Sequence, residues 1–202
     1  MTDKTLNNFG FKHKAGILMP ISSLPSKYGI GTFGKEAYRF VDFLEASGQK
    51  CWQVLPLNPT SYGDSPYQSP ASIAGNPYYI DIEILFEKGL LKKEELSDAE
   101  HDTERVDYGY LFNTRYDILR LAYSRFKKDK GFSAFLNKNV EWIDDYALFM
   151  AIKTANGYSA WYQWDNELCN YENAKKHISE YEEECGFWRS SVRILFSVVG
   201  VA

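Results

Sequence analysis

Residues 61–69 read SYGDSPYQS and place two phenol rings, Tyr62 and Tyr67, beside a carboxylate, Asp64, a hydroxyl, Ser65, and an amide, Gln68. Rings interleaved with short donors and acceptors suit a sugar, whose C–H faces pack on aromatic rings while its hydroxyls need fixed partners. The same residues also suit a loop packed on its own rings, with Asp64 closing an Asx turn. Both readings stand on spacing alone.

Bond-breaking chemistry is harder to place. A retaining glycoside cleavage needs two carboxyl groups about 5 Å apart, one on each side of the scissile bond. Asp144 and Asp145 in WIDDYAL are neighbours on a helix, about 100° apart around its axis, and read as a solvated face. His13, His101 and His177 are scattered among charged residues and form neither a ligand cluster nor a triad order. Cys51, Cys169 and Cys185 have no C-x-x-C spacing and cannot all pair, so neither a zinc site nor a disulfide framework is expected. No catalytic residue, metal ligand or cofactor is assigned.

GIGTFG at 29–34 matches G-x-G-x-x-G ahead of a helix. A dinucleotide site needs its first glycine directly after the strand, and an acid roughly 20 residues on for the ribose. Here ISSLPSKY intervenes, and the second strand ends in LPLNPT without an acid. The glycines read instead as an entry turn that needs positive φ or close backbone approach, and a dinucleotide-binding protein remains only a remote alternative.

The elements that must position SYGDSPYQS follow from hydrophobic patterning. AGILMP at 15–20 and CWQVLPL at 51–57 are short apolar runs, each read as a buried strand. Between them, KEAYRFVDFLEASG sets Ala37, Phe40, Val41 and Leu44 on one helical face, with Gly48 as a left-handed cap. Strand, helix and strand predict a βαβ unit with parallel strands. Residues 58–80 hold four prolines and form a loop longer than the usual βα connection, which marks it as functional. Helices are expected over 113–129, with Asn113 or Thr114 as N-cap, and over 140–157, stopped by Asn156-Gly157. ILFSVVGVA near the end is nearly all apolar and reads as a buried strand lacking neighbours or as an aggregation-prone end.

Composition excludes several function classes. A net charge of -4 with no block of five or more like charges disfavours nucleic acid and anionic membranes as partners. The amino terminus has no apolar run long enough for a signal or a membrane span, and a reducing cytoplasm is expected.

SSLPS, YGIGTFG, WQVLPL, YGDSPYQS and AGNPYYID occur in order and closely resemble the amino-terminal region of the 4-alpha-glucanotransferases (amylomaltases, disproportionating enzymes) of glycoside hydrolase family seventy-seven. The resemblance is clear over about 14–90 and looser to about 187. It implies an α/β fold, the amino-terminal part of a (β/α)8 TIM barrel with an inserted mainly helical subdomain. On that basis 1–80 would hold the first βαβ unit and its substrate loop, 81–187 the insertion, and 188–202 an atypical tail, from a truncated or shifted reading frame. It also implies transfer of an α-1,4-glucan segment to the 4-hydroxyl of a glucan or glucose through a covalent intermediate on an Asp. In the family the acids lie on later strands, so this chain alone is expected to be inactive. By the same likeness Tyr67 stacks at the transferred sugar, Ser65 and Asp64 flank it, and Tyr62 makes a further glucan contact; Gln68, beside them on the loop, is a further candidate for substrate binding. The other reading is a non-catalytic glucan-binding or structural fragment.

Overall fold

The computed structural model describes residues 14–101 and 104–199. The two apolar runs become short strands, β1 (Gly16–Leu18) and β2 (Cys51–Gln53), paired in parallel with Ile17 opposite Trp52. Bonds from Met19 N to Gln53 O (3.0 Å) and from Lys50 N to Ala15 O (2.8 Å) extend the pairing at both ends. Helix α1 (Lys35–Ala46) joins the strands and packs on them through Phe40, whose ring meets Trp52 edge-on at 4.9 Å. The Trp52 indole donates to Met19 O at 2.8 Å. Gly48, at φ +74°, ends the helix as expected.

The expected burial of these strands does not hold. Leu18 is 53% exposed, and in each strand only the middle residue is half-buried. Among the described residues, two strands covered on one face by one helix leave the other face and the outer edges without a neighbour. Val41 is likewise exposed, while Ala37 and Leu44 are buried and Phe40 half-buried.

From residue 82 onward the described chain is helical: α2 (Ile82–Glu87), α3 (Lys93–Asp98), α4 (Tyr108–Arg125), α5 (Lys130–Lys138), α6 (Ile143–Ala155), α7 (Asn166–Cys169), α8 (Tyr171–Ala174) and α9 (Glu182–Val199). Helix α4 starts five residues before the expected boundary. Asp107 caps it by accepting from Tyr110 N at 2.9 Å. Asn113 and Thr114 sit inside the helix and bond back to Gly109 O and Tyr110 O, each at 2.8 Å. Helix α6 stops at Asn156 and Gly157, the latter at φ +60°, as expected.

The apolar run near the end is a correction. Ile194 to Val199 continue helix α9 and do not form a strand; residues 200–202 lie outside the described region. Helix α9 packs against α4, α5 and α6 and buries Phe187, Trp188, Val192, Ile194 and Leu195. A short, nearly unbroken apolar run cannot by its pattern alone be told apart as a buried strand or as the end of a helix. Trp188 lies 5.5 Å from the Tyr116 ring and 6.3 Å from the Tyr146 ring. Glu184 accepts a fork of bonds from Arg120 at 2.7 and 2.6 Å and another from the Trp188 indole at 3.0 Å. The main core gathers these helices with Ile21, Leu24, Tyr28 and Ile30, so the turn between β1 and α1 is buried more deeply than the strands.

Candidate functional site

The loop after β2 is closed at its base by a bond from Asn76 N to Leu57 O at 2.7 Å. The Asn76 side chain accepts from Tyr78 N at 3.0 Å and starts a single turn at Pro77–Tyr79. Within the loop, Asp64 N donates to Ser61 O at 3.0 Å across a tight turn that puts Gly63 at φ +93° and Asp64 at φ +59°. Asp is among the few residues that tolerate the left-handed region. Ser65 sets the next turn: its hydroxyl accepts from Tyr67 N at 3.3 Å and its carbonyl from Gln68 N at 3.1 Å.

These turns raise both loop tyrosines into solvent, with Tyr62 97% and Tyr67 75% exposed. Tyr62 and Asp64 form one wall of a groove of about 610 Å³. The opposite wall comes from the helical segment: Tyr108, Phe112 and Tyr116 on α4, then Lys153 and Tyr158 at the end of α6, with Tyr78 also lining it. Ser65, Tyr67 and Gln68 do not line this groove. The structure thus brings Tyr62 and Asp64 together and leaves the Tyr67 ring free outside.

Electrostatically the groove is a surface of phenol hydroxyls with one carboxylate, Asp64, and one ammonium, Lys153. Burial pushes the Tyr78 phenol up to about 12, and the nearby Asp64 charge adds to that rise. Burial raises Tyr108 and, much more, Tyr116. These phenols therefore stay protonated at neutral pH and offer both a donor and an acceptor. Partial burial also raises the Asp64 carboxyl. Lys153 is lowered by burial, and its ammonium donates to Tyr158 O and Ser159 O at 3.1 Å each. Asp64 is the single carboxylate among the lining residues, so the groove can hold a polyol without supplying the carboxyl pair of a double displacement.

Sequence reasoning missed the helical wall. Its signal was present: Tyr108, Phe112 and Tyr116 recur every fourth residue and share one face of α4. Lys153 and Tyr158 carried no such signal, because a left-handed turn at Gly157 and Tyr158 brings them together.

Other candidates resolve into structural partners. The glycine turn carries Gly29 at φ +81°. A Cβ at Gly31 would collide with the Ile21 carbonyl, and one at Gly34 with the Asp81 carboxylate. Asp81 accepts from the Thr32 hydroxyl at 2.5 Å and caps α2. A carboxylate therefore sits against the start of α1, where a pyrophosphate would have to bind. Asp144 pairs with Arg189 at 2.7 Å, and Asp145 accepts from the Tyr171 hydroxyl at 2.7 Å. His101 stacks on Tyr110 with centroids 3.8 Å apart, and His177 pairs with Glu180 at 2.9 Å. His13 lies outside the described residues.

With this geometry in hand, similarity to known proteins is informative. The family model for 4-alpha-glucanotransferase, glycoside hydrolase family seventy-seven, matches residues 19–196. The 4-alpha-glucanotransferase of Clostridium butyricum is 48% identical over 177 residues, covering 85% of this chain and 36% of its own length. That of Thermus thermophilus is 44% identical over 180 residues, covering 85% of this chain and 35% of its own. The chain thus spans about a third of the curated relatives it matches. Among solved structures, amylomaltase from Streptococcus agalactiae in complex with acarbose superposes with a TM-score of 0.85 at 37% identity, over 93% of this chain and 39% of that one. Amylomaltase from Corynebacterium glutamicum, 15% identical with a TM-score of 0.73, supports the fold.

Proposed function

Because this chain belongs to the 4-alpha-glucanotransferase family, we propose that it is the glucan-gripping, amino-terminal part of such a transferase. The full enzyme would move a segment of an α-1,4-glucan to the 4-hydroxyl of another glucan or of glucose, by a retaining double displacement. In this reading the parallel pair β1 and β2 opens the barrel, and the helices from 81 to 187 form the insertion. The reactive carboxyls come from residues beyond those present here. The absence of a carboxylate pair from the groove lining supports that division of labour.

The observation that carries the proposal is the groove itself, with Tyr62 and Asp64 facing an aromatic helical wall. Its neutral hydroxyls and ring faces match a glucan, which is uncharged and amphipathic. Tyr67 stands exposed on the same loop, free to stack on a further sugar of the same chain, and Ser65 and Gln68 fix the turn that presents it. The second reading, binding without catalysis, is favoured for this chain alone by the same groove lining.

Calorimetric titration with maltoheptaose and incubation with maltotriose test both readings together. Binding without glucose release is expected from this chain. Tyr62→Ala should weaken binding about 10-fold, the worth of one aromatic contact. Saturable binding that ignores Tyr62 would exclude the groove, and turnover by a homogeneous sample would place the carboxyls within these residues.

A further inference from the structure

Helix α6 separates two cavities. Lys153 turns toward the Tyr62 groove, whereas Asp145, Leu148, Phe149 and Ile152, spaced i, i+3, i+4, i+7, line a second cavity of about 290 Å³. Trp161, Trp164 and Tyr171 complete it. Trp161, which lines it, pairs nearly perpendicularly with the neighbouring Tyr162, with centroids 6.0 Å apart at 80° and exposures of 54% and 67%. Tyr171 adds a third open ring, 47% exposed.

The polar groups around this cavity are incomplete in a way that specifies a ligand. Trp164 is only 7% exposed, yet its indole N–H has no partner. The indoles of Trp52, Trp142 and Trp188 each have one: Met19 O, Asn139 Oδ1 and Glu184 Oε1. An unpaired buried donor costs about 1–3 kcal/mol, which an incoming hydroxyl oxygen would relieve. At the rim, Asp145 accepts from the Tyr171 hydroxyl at 2.7 Å, and the Lys175 ammonium lies 3.9 Å from Asp145. One charge of each sign makes the rim neutral overall, a poor match for an ion and a good one for an uncharged polyol. The volume sits at the lower limit of small-ligand sites, enough for one or two sugar rings and too small for a long helical segment.

We infer that this aromatic cavity on the flank of α6 facing away from the Tyr62 groove is a second carbohydrate site, holding one or two glucosyl units of an α-1,4-glucan. The inference rests on the glucan reading of the groove for the identity of the sugar. Two sites on opposite flanks of one helix would let a long glucan engage both, raising its apparent affinity above that of a short one.

The distribution of tryptophan makes the two sites separable. The rings lining the groove belong to Tyr and Phe, whereas Trp161 and Trp164 line the second cavity. Tryptophan emission of the full chain is titrated with maltoheptaose, alongside calorimetry, in the unaltered chain and in Tyr62→Ala, Trp161→Ala, Trp161→Phe and Trp164→Phe. Expected are a saturable emission change that survives Tyr62→Ala and disappears in Trp161→Ala, affinity retained in Trp161→Phe, and a loss of roughly 10-fold in Trp164→Phe, which leaves a single six-membered ring and removes the donor with the pyrrole half of the indole. Because Trp164→Phe keeps an aromatic ring at the position, it decides the matter if Trp161→Ala unfolds the chain, as checked by circular dichroism. Silent tryptophans with Tyr62-dependent heat would overturn the inference and leave the groove reading intact. An emission change indifferent to both Trp161 and Trp164 would also overturn it. A Trp161-dependent change without any groove heat would uphold the inference against the groove, and neither signal would defeat both.

Discussion

At Gly31 the backbone approaches so closely that a single methyl group is decisive. Its neighbours there are the Ile21 carbonyl and the Leu24 backbone, neither of which can rotate away. Gly31→Ala is therefore expected to cost about 3 kcal/mol, lowering the melting temperature by roughly 6–12 °C in a chain of this size. Asp64 poses the opposite case, a side chain at φ +59° where most residues are strained. Asp64→Asn should preserve the turn, and Asp64→Ala should be less stable than Asp64→Asn by about 1 kcal/mol. Burial raises the Asp64 carboxyl above its ordinary 3.8. A raised folded value means that Asp64 favours the fold at acid pH and that this contribution is lost as pH climbs through the raised value. Compared with Asp64→Asn across a pH series, the unaltered chain should lose its relative stability above pH 3.8; a difference that is flat with pH would show that the carboxyl feels bulk water.

Among the helical elements, Glu95 on α3 joins more partners than its short helix suggests. It accepts from Lys92 N at 2.7 Å and takes a fork of bonds from Arg125, at the end of α4, at 2.6 and 2.7 Å. Those bonds from Arg125 and Lys92 hold its carboxyl down at about 2. A depressed folded value stabilises above the ordinary 4.5, and the benefit is lost as pH falls from there toward 2. Glu95→Gln should melt lower at neutral pH and converge with the unaltered chain near pH 2. Parallel melting curves down to that pH would disprove the role of the fork. Such long-range pairs are not written in local pattern, which explains what the sequence disclosed and what it hid. The strands, α1 and the stop of α6 follow from runs, a 3.6 period and glycines, all local features. The start of α4 was misplaced because Asn113 and Thr114 look like caps, and only the geometry shows that they bond backward while Asp107 caps. The last turns of helix α9 read as a strand or an aggregation-prone end because Ile194–Val199 is a short, nearly unbroken apolar run, too short by itself to show a helical period. Tyr62 and Asp64 could be picked out from their loop, but their partners across the groove depended on the docking of α4 and α6.

Over the whole molecule, order is distributed against the usual expectation that strands are the rigid part. Among the described residues the β1–β2 ladder has three residue pairs, open edges and an exposed face. A two-stranded sheet of that size is marginal by itself. By contrast, Ile21, Tyr28 and Ile30, in the connection between β1 and α1, are at most 4% exposed and join the core shared with α4, α6 and α9. Arg115, 1% exposed on α4, donates to Tyr28 O at 2.6 Å and pins that connection to the helices. Local opening follows burial more than secondary-structure class, so hydrogen exchange should invert the usual order. The Gly31 amide, bonded to Ser22 O, is expected to exchange orders of magnitude more slowly than the Met19 and Lys50 amides of the ladder, and the amides of α6 and α9 more slowly still. Arg115→Met should speed exchange at Gly31 toward ladder rates while leaving α9 protected, because it releases the connection without opening the helical core. If ladder and helices exchange together, the sheet is an integral part of one cooperative unit, and its exposed face in this structure understates what holds it.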